Sequence, residues 1–294
     1  MQRIDVLGLG SLAWDDILLV DALPAPDQKI RAKKRIKRVG GLTGGALLAA
    51  VRSGGSAAFA GRIGTDPASL AVADFFADQG IDLSLCIPDP SHAVVQSVIL
   101  AATSTSTRNV ISFREGETGA HPTLPDLSHC NRFNVLLVDH HGIQGQIRMA
   151  RYFHQTGRPV VCDIERQDDN ATLELLRTCS HVILPESFAL SLTGADTADR
   201  ALPNLRHMLP NASLCLITQG AQGGVFSQQH EPTQAVNHYH PPEIITSCDT
   251  SGCGDVFHGA FCVALSRGMP LEKCIGFAAS KAAEALHNDD ALRF

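Results

Sequence analysis

The residues of this 294-residue chain best placed to do chemistry form one string, Asp249-Thr250-Ser251-Gly252-Cys253-Gly254-Asp255. It runs directly into the apolar, small-residue stretch Val256-Phe257-His258-Gly259-Ala260. Glycines at 252 and 254 let a loop turn successive backbone N–H groups toward one point. A helix starting there adds the positive end of its dipole. Together they make an anion hole suited to a phosphoryl group, whose charge spreads over its oxygens during transfer. Asp255 falls in the first helical turn, where a carboxylate can take the proton of an attacking hydroxyl. A plain glycine turn with Asp255 as an N-terminal cap explains a Gly-x-Gly-Asp equally well. On these residues alone both readings stand.

Something must hold this string, and the rest of the chain predicts a parallel sheet covered by helices. Strands are expected at 4–9, 57–60, 81–87, 135–139, 159–163, 181–184 and 213–218, with an extended 224–227. Helices are expected at 46–52, 68–79, 144–156, 171–179, 186–192, 197–209, 254–266 and 271–287. The apolar strands, and the alternation of strand with helix, imply a sheet buried on both faces. Two pairs of extended stretches break the rhythm, at 16–21 with 29–39 and at 93–101 with 108–113. The expectation is an α/β, doubly wound, mostly parallel sheet built from 1–12, 40–90 and 116–294. The excursions 13–39 and 91–115 would join into a small β lid across the carboxyl ends of the strands, where such folds bind ligands.

Several louder signals carry less. Gly8-Leu9-Gly10-Ser11-Leu12-Ala13 fits a dinucleotide fingerprint, but that motif needs a helix next, and 14–21 is extended. The basic run 31–38 is a solvated lid strand rather than a nucleic-acid patch, because the chain carries a formal net charge of −6. Adjacent His140 and His141 point apart on an extended chain, so they cannot share one metal ion. The nine cysteines lack Cys-x-x-Cys spacing and read as free thiols of a reducing compartment. No apolar run spans a membrane, and Asp5 interrupts the N-terminal run too early for a signal peptide. A cytoplasmic location is therefore expected.

The 249–255 string, opening a helix and followed by small residues, resembles the second signature of the PfkB carbohydrate kinases, the ribokinase-like family. The resemblance extends to 8–15, Gly40-Gly41, Gly61-Arg62-Ile63-Gly64-Thr65-Asp66, Leu192-Thr193-Gly194 and 218–224, in the family's order. The branch holding ketohexokinase and sulfofructose kinase looks nearest. The resemblance implies transfer of the γ-phosphoryl group of ATP, with Mg2+, to a hydroxyl of a sugar-like molecule. Asp255 would be the base, and the N–H groups of Gly252, Cys253 and Gly254 the anion hole. Asp15, with Asp16 an alternative beside it, would bind substrate hydroxyls, and Gly40 and Gly41 would let substrate approach the backbone. Lys29, Asp139 and His141 are further substrate candidates. Thr218, Gly220, Gly223 and Thr250 would line the nucleotide site. No protein metal ligand is expected beyond Asp163 and Glu165 acting through water. Related kinases commonly dimerise through the lid, so a homodimer is expected.

Three departures qualify the resemblance. Gly45 stands where the family usually has a substrate-binding asparagine. Pro185 and Phe188 replace an Asn-x-x-Glu motif that organises magnesium and water. The sequence ends at Phe294, where relatives continue into a further loop and helix, which predicts weaker nucleotide binding. A nucleoside kinase of the same fold and a non-catalytic sugar-binding protein are the alternatives.

Overall fold

The computed structural model describes residues 3–105, 107–167, 170–243 and 252–287. Its central sheet has eight strands. From one edge they are β4 (Ala57–Phe59), β1 (Ile4–Leu9), β9 (Phe133–Val138), β10 (Val160–Asp163), β11 (His181–Pro185), β12 (Leu214–Thr218), β13 (Gly224–Gln228) and β14 (Asn237–Tyr239). The first six run parallel, β13 runs against them, and β14, antiparallel to β13, returns to their direction. The inner strands β9 to β12 are mainly apolar because both faces are covered. Helices α3 (Ile143–Gln155), α4 (Asn170–Thr178), α5 (Glu186–Thr193) and α6 (Ala198–Met208) pack one face through Phe153, Leu175, Phe188 and Leu205. On the other face lie α1 (Leu42–Arg52), α2 (Pro67–Asp78), α7 (Cys253–Ser266) and α8 (Leu271–His287), packed through Leu47, Phe76, Phe261 and Ala278. Full burial of a side chain such as Phe153 or Phe261 contributes about 1.5–3 kcal/mol.

Local sequence explains where α2 begins and where α5 ends. The Asp66 carboxylate accepts from the N–H groups of Ala68 and Ser69, at 3.0 and 3.2 Å, and Pro67 occupies the first turn. Gly194, in the left-handed region, closes α5. One predicted strand fails. Residues 81–87 make a single bridge, Asp82 to Ala58, before turning away from the sheet. The Asp82 carboxylate accepts from the N–H of Ser84 at 2.8 Å, an Asx turn that bends the chain. Only the two-residue β6 (Ile87–Pro88) pairs again, with β5 (Arg62–Ile63). Strand β14 was not anticipated; its sequence, Asn-His-Tyr, has no apolar run to announce it.

A second sheet carries β3 (Lys34–Gly40), β2 (Ala13–Val20), β7 (Val95–Ala102) and β8 (Thr107–Phe113) in that order. Strand β2 continues from β1 through 10–12, and β3 leads through Gly41 into α1. Asp15 pairs with Arg38 on one side and Ser97 on the other, so these three share a face. Asp16 faces the opposite way and is ion-paired with Arg35.

Candidate active site

The N-terminus of α7 divides two cavities. On one side lies a polar cavity of about 290 Å3, whose lining includes Asp15, Arg38, Gly40, Gly41, Gly45 and Asp255. On the other lies a mostly apolar pocket of about 140 Å3, whose lining includes Thr218, Gly220, Tyr239, Phe257 and Ala283. Gly252 and Asp255 face the first, Cys253 and Gly254 the second. A single helical turn therefore reaches both spaces.

Two close approaches put Asp255 where it is. Gly259, one turn further along α7, lies so near α1 that an added Cβ would stand 2.9 Å from the Ala50 nitrogen and closer still to the Ala46 carbonyl. At the N-terminal end of the same crossing, a Cβ on Gly45 would stand 2.9 Å from both Cβ and Cγ of Asp255. The catalytic candidate packs on the bare backbone of α1. Gly45 thus does more than lack the family's asparagine, because its missing side chain leaves the room that the Asp255 carboxyl fills. Gly252 caps α7 at φ 83°, a left-handed conformation that favours glycine. Gly254, by contrast, is helical and has open space where a Cβ would go. The loop's backbone demand therefore falls on Gly252, not on both glycines.

The electrostatics are strained in a useful direction. Asp255 is half-buried as a whole residue, but its carboxyl is enclosed against α1. That burial raises its pKa well above the usual carboxylate value, and the negative charges of Asp163 and Glu165 add to the effect; Arg38 opposes it. Asp163, buried at the end of β10, is pushed up to about 6 by burial, with His258 pulling the other way and Glu165 and Asp139 raising it. The His258 ring sits 3.3 Å from the Asp163 carboxylate, and its Nδ1 lies 2.8 Å from the Gly254 carbonyl.

The other residues named from sequence separate into groups. Asp15 lines the polar cavity beside Gly40 and Gly41, with the Arg38 guanidinium 3.4 Å from its carboxylate. Lys29 sits in an exposed stretch of the lid and is not among the cavity-lining residues. Asp139 is 0% exposed and outside the cavity, its carboxylate enclosed by hydrogen bonds from Ser11, Thr43, His141 and Gln146. The backbone N–H of His141 donates to that carboxylate at 2.7 Å, and its side chain does not reach the cavity. Thr218 and Gly220 line the apolar pocket, whereas Gly223 is buried in the turn behind it. Glu165 is exposed. Asp249 and Thr250 lie outside the described residues. Sequence reasoning passed over Arg38, whose place opposite Asp15 follows only from strand register, and His258, which the helical spacing from Asp255 could have flagged. Pro185 and Phe188 cannot replace the family's Asn-x-x-Glu pair, since Pro185 caps α5 and Phe188 is core.

Residues 3–291 match the pfkB family of carbohydrate kinases. The chain belongs to that family. Membership carries general ATP-dependent kinase activity of the PfkB type. Among curated relatives, the ribokinase of Arabidopsis thaliana is 24% identical over 289 residues, covering 93% of this chain and 74% of that protein. The structure of Arabidopsis ribokinase with ribose and ATP superposes with a TM-score of 0.84 at 21% identity, covering 100% of this chain and 96% of the other. The adenosine kinase of Sinorhizobium meliloti gives a TM-score of 0.77 at 20% identity, covering 98% and 95%. These similarities establish the ribokinase-like fold, and their mixed names leave the acceptor class open.

Proposed function

We propose that this protein transfers the γ-phosphoryl group of ATP to a hydroxyl of a sugar or sugar-like molecule, with Asp255 as the base. The observation that carries the reading is the placement of Asp255 and its helix N-terminus between a polar cavity and an apolar one. Asp15, held beside Arg38, gives the polar side a carboxylate that can accept from substrate hydroxyls. Asp255 accepts the proton of the hydroxyl that attacks, and its raised pKa makes it a stronger acceptor once it is ionised. The N-terminus of α7 brings the positive end of its helix dipole to the junction of the two cavities, where it would favour phosphoryl oxygens.

The apolar pocket suits a purine, with Tyr239 and Phe257 offering ring surface and Thr218 and Gly220 lying at its edge. Among the described residues no cluster of three or more His, Cys, Asp or Glu side chains could hold a metal ion. Magnesium would be bound chiefly by nucleotide phosphates, with Asp163 and Glu165 acting through water. Bound in that way, it would neutralise phosphate charge. Residues 13–39 and 91–115 would cover the acceptor and exclude competing water. Loss of the Asn-x-x-Glu pair supports a place near the ketohexokinase and sulfofructose kinase branch.

The test is acceptor-dependent release of ADP, measured over a panel of sugars, sulfosugars and nucleosides. Turnover of a sugar or sulfosugar is expected. Turnover confined to nucleosides would move the chain to the nucleoside kinases, and ligand binding without ADP release would overturn the catalytic reading.

A further inference from the structure

Asp139 is the most heavily hydrogen-bonded carboxylate near the site, yet it does not reach the acceptor cavity. One oxygen, Oδ2, accepts from the Ser11 backbone N–H at 2.7 Å and from the Ser11 hydroxyl at 3.0 Å. The Thr43 hydroxyl is also 3.0 Å from Oδ2, and 3.1 Å from the Leu9 carbonyl, so its one proton serves either acceptor. The other oxygen, Oδ1, accepts from the His141 N–H at 2.7 Å and from the Gln146 side-chain amide at 3.2 Å. The same amide nitrogen lies 2.9 Å from the carbonyls of both Leu9 and His141, so its two hydrogens are shared among three acceptors. Asp139, Thr43 and Gln146 are 0% exposed. Burial works against the charge, but the His141 ring, 3.4 Å from Oδ1, the neighbouring His140 ring and the Ser11 N–H outweigh it and keep the pKa below its ordinary value.

The partners matter for where they lie. Ser11 sits where β1 leaves the core to become the lid strand β2, and Thr43 sits in the first turn of α1, where the chain returns through Gly40 and Gly41. The Ser11 carbonyl accepts from the Gly44 N–H at 3.1 Å, which joins the outgoing and returning segments directly. Gly10 between them has no room for a side chain, since a Cβ there would fall on the Asp139 carboxyl and the Thr43 hydroxyl. One buried charge at the end of β9 thus fixes both crossings between core and lid. Asp15 is four residues beyond one crossing, and Gly40 and Gly41 immediately precede the other.

We propose that Asp139 is the pivot of the lid, a positioning residue that acts through Ser11 and Thr43 to set where Asp15 and Gly40-Gly41 meet the acceptor. A carboxylate is needed because its oxygens face donor groups of four residues, Ser11, Thr43, His141 and Gln146, from three separate parts of the chain. An amide at this position would turn N–H groups toward the donors of Ser11 or His141. For its catalytic readout the inference rests on the kinase reading above; a second readout does not.

The variants are Asp139→Asn, Ser11→Ala, and Thr43→Val beside Thr43→Ser. Thr43→Val keeps the volume and loses the hydroxyl, and Thr43→Ser restores it. With the best acceptor from the panel, Asp139→Asn and Thr43→Val are expected to raise the acceptor KM by about tenfold, since small misplacements of positioning groups are costly. The KM for ATP should stay within about twofold, because the apolar pocket is built from other elements. Thr43→Ser should recover the acceptor KM, and Ser11→Ala should fall between. Hydrogen exchange supplies the second readout, with backbone amides of 11–20 and 34–40 in Asp139→Asn exchanging faster than in wild type while β10 to β12 stay protected. If wild type turns over no acceptor, the kinase reading fails and exchange alone decides the pivot. Unchanged lid exchange in Asp139→Asn overturns the proposal. So does a raised acceptor KM in Asp139→Asn that neither Ser11→Ala nor Thr43→Val reproduces, since that pattern marks direct substrate contact.

Discussion

At the scale of single residues, the site is organised by what Asp255 is packed against. Gly45 gives it space, and burial with Asp163 and Glu165 nearby raises its proton affinity. Restoring even a methyl group at position 45 pushes the carboxyl from its seat. Gly45→Ala should lower kcat by about tenfold or more, as expected for a base misplaced by a fraction of an ångström, and leave the KM for ATP nearly unchanged. A kcat within twofold of wild type would show that Asp255 relocates without loss. The pH dependence follows from the same charges. Transfer needs Asp255 ionised, so kcat falls as pH drops through its pKa, and the raised pKa places that acid limb above the range of an ordinary carboxylate. Asp163→Asn removes a neighbouring negative charge and should move the limb to lower pH. A limb that stays in place in the kcat–pH profile would mean that Asp163 does not influence the base.

Individual elements show which parts of the fold the sequence made legible. Helices α2 to α8 lie within about one residue of expectation, because their caps and apolar spacing are local properties. Helix α1 begins four residues early, at Leu42, because glycines 44 and 45 look like a loop until the packing of Asp255 on Gly45 explains them. Residues 81–87 look like a strand by composition, but an Asx turn at Asp82 overrides it. Asp139 has the right type and position for a substrate ligand, and only tertiary contacts reveal that its lone pairs are already taken. At the head of α7, Gly252→Val should abolish turnover, because a β-branched residue resists the left-handed cap that aims the first amides. Cys253→Ala should stay within about threefold, since an anion hole uses its N–H rather than its thiol. Steady-state kinetics of the pair decides the point. An active Gly252→Val, or an inactive Cys253→Ala, would contradict the backbone role.

For the whole molecule, the second sheet presents an apolar outer face whose partner can be tested. Val98, Ile111 and Phe113 share the lid face turned away from Asp15 and are 41%, 63% and 57% exposed. An apolar face on an exposed edge sheet invites a partner, and a second copy of the lid would cover it. Light scattering at micromolar concentration should return about twice the chain mass of 31.3 kDa, and Ile111→Asp with Phe113→Asp should lower it toward one chain. Ile17 in β2 is 6% exposed, inside its own sheet, and is unsuited to the test. A wild-type mass of one chain would leave that face without a partner copy. No helix among the described residues is long and apolar enough to cross a membrane. One helix N-terminus joins the polar cavity to the apolar pocket, with Asp255 at the junction. The most direct measurement is acceptor-dependent ADP release by Asp255→Asn beside wild type. Asparagine keeps the size and removes the base, so kcat should fall by about 10²–10⁴ with acceptor and ATP still bound. A variant turning over within threefold of wild type would contradict the account.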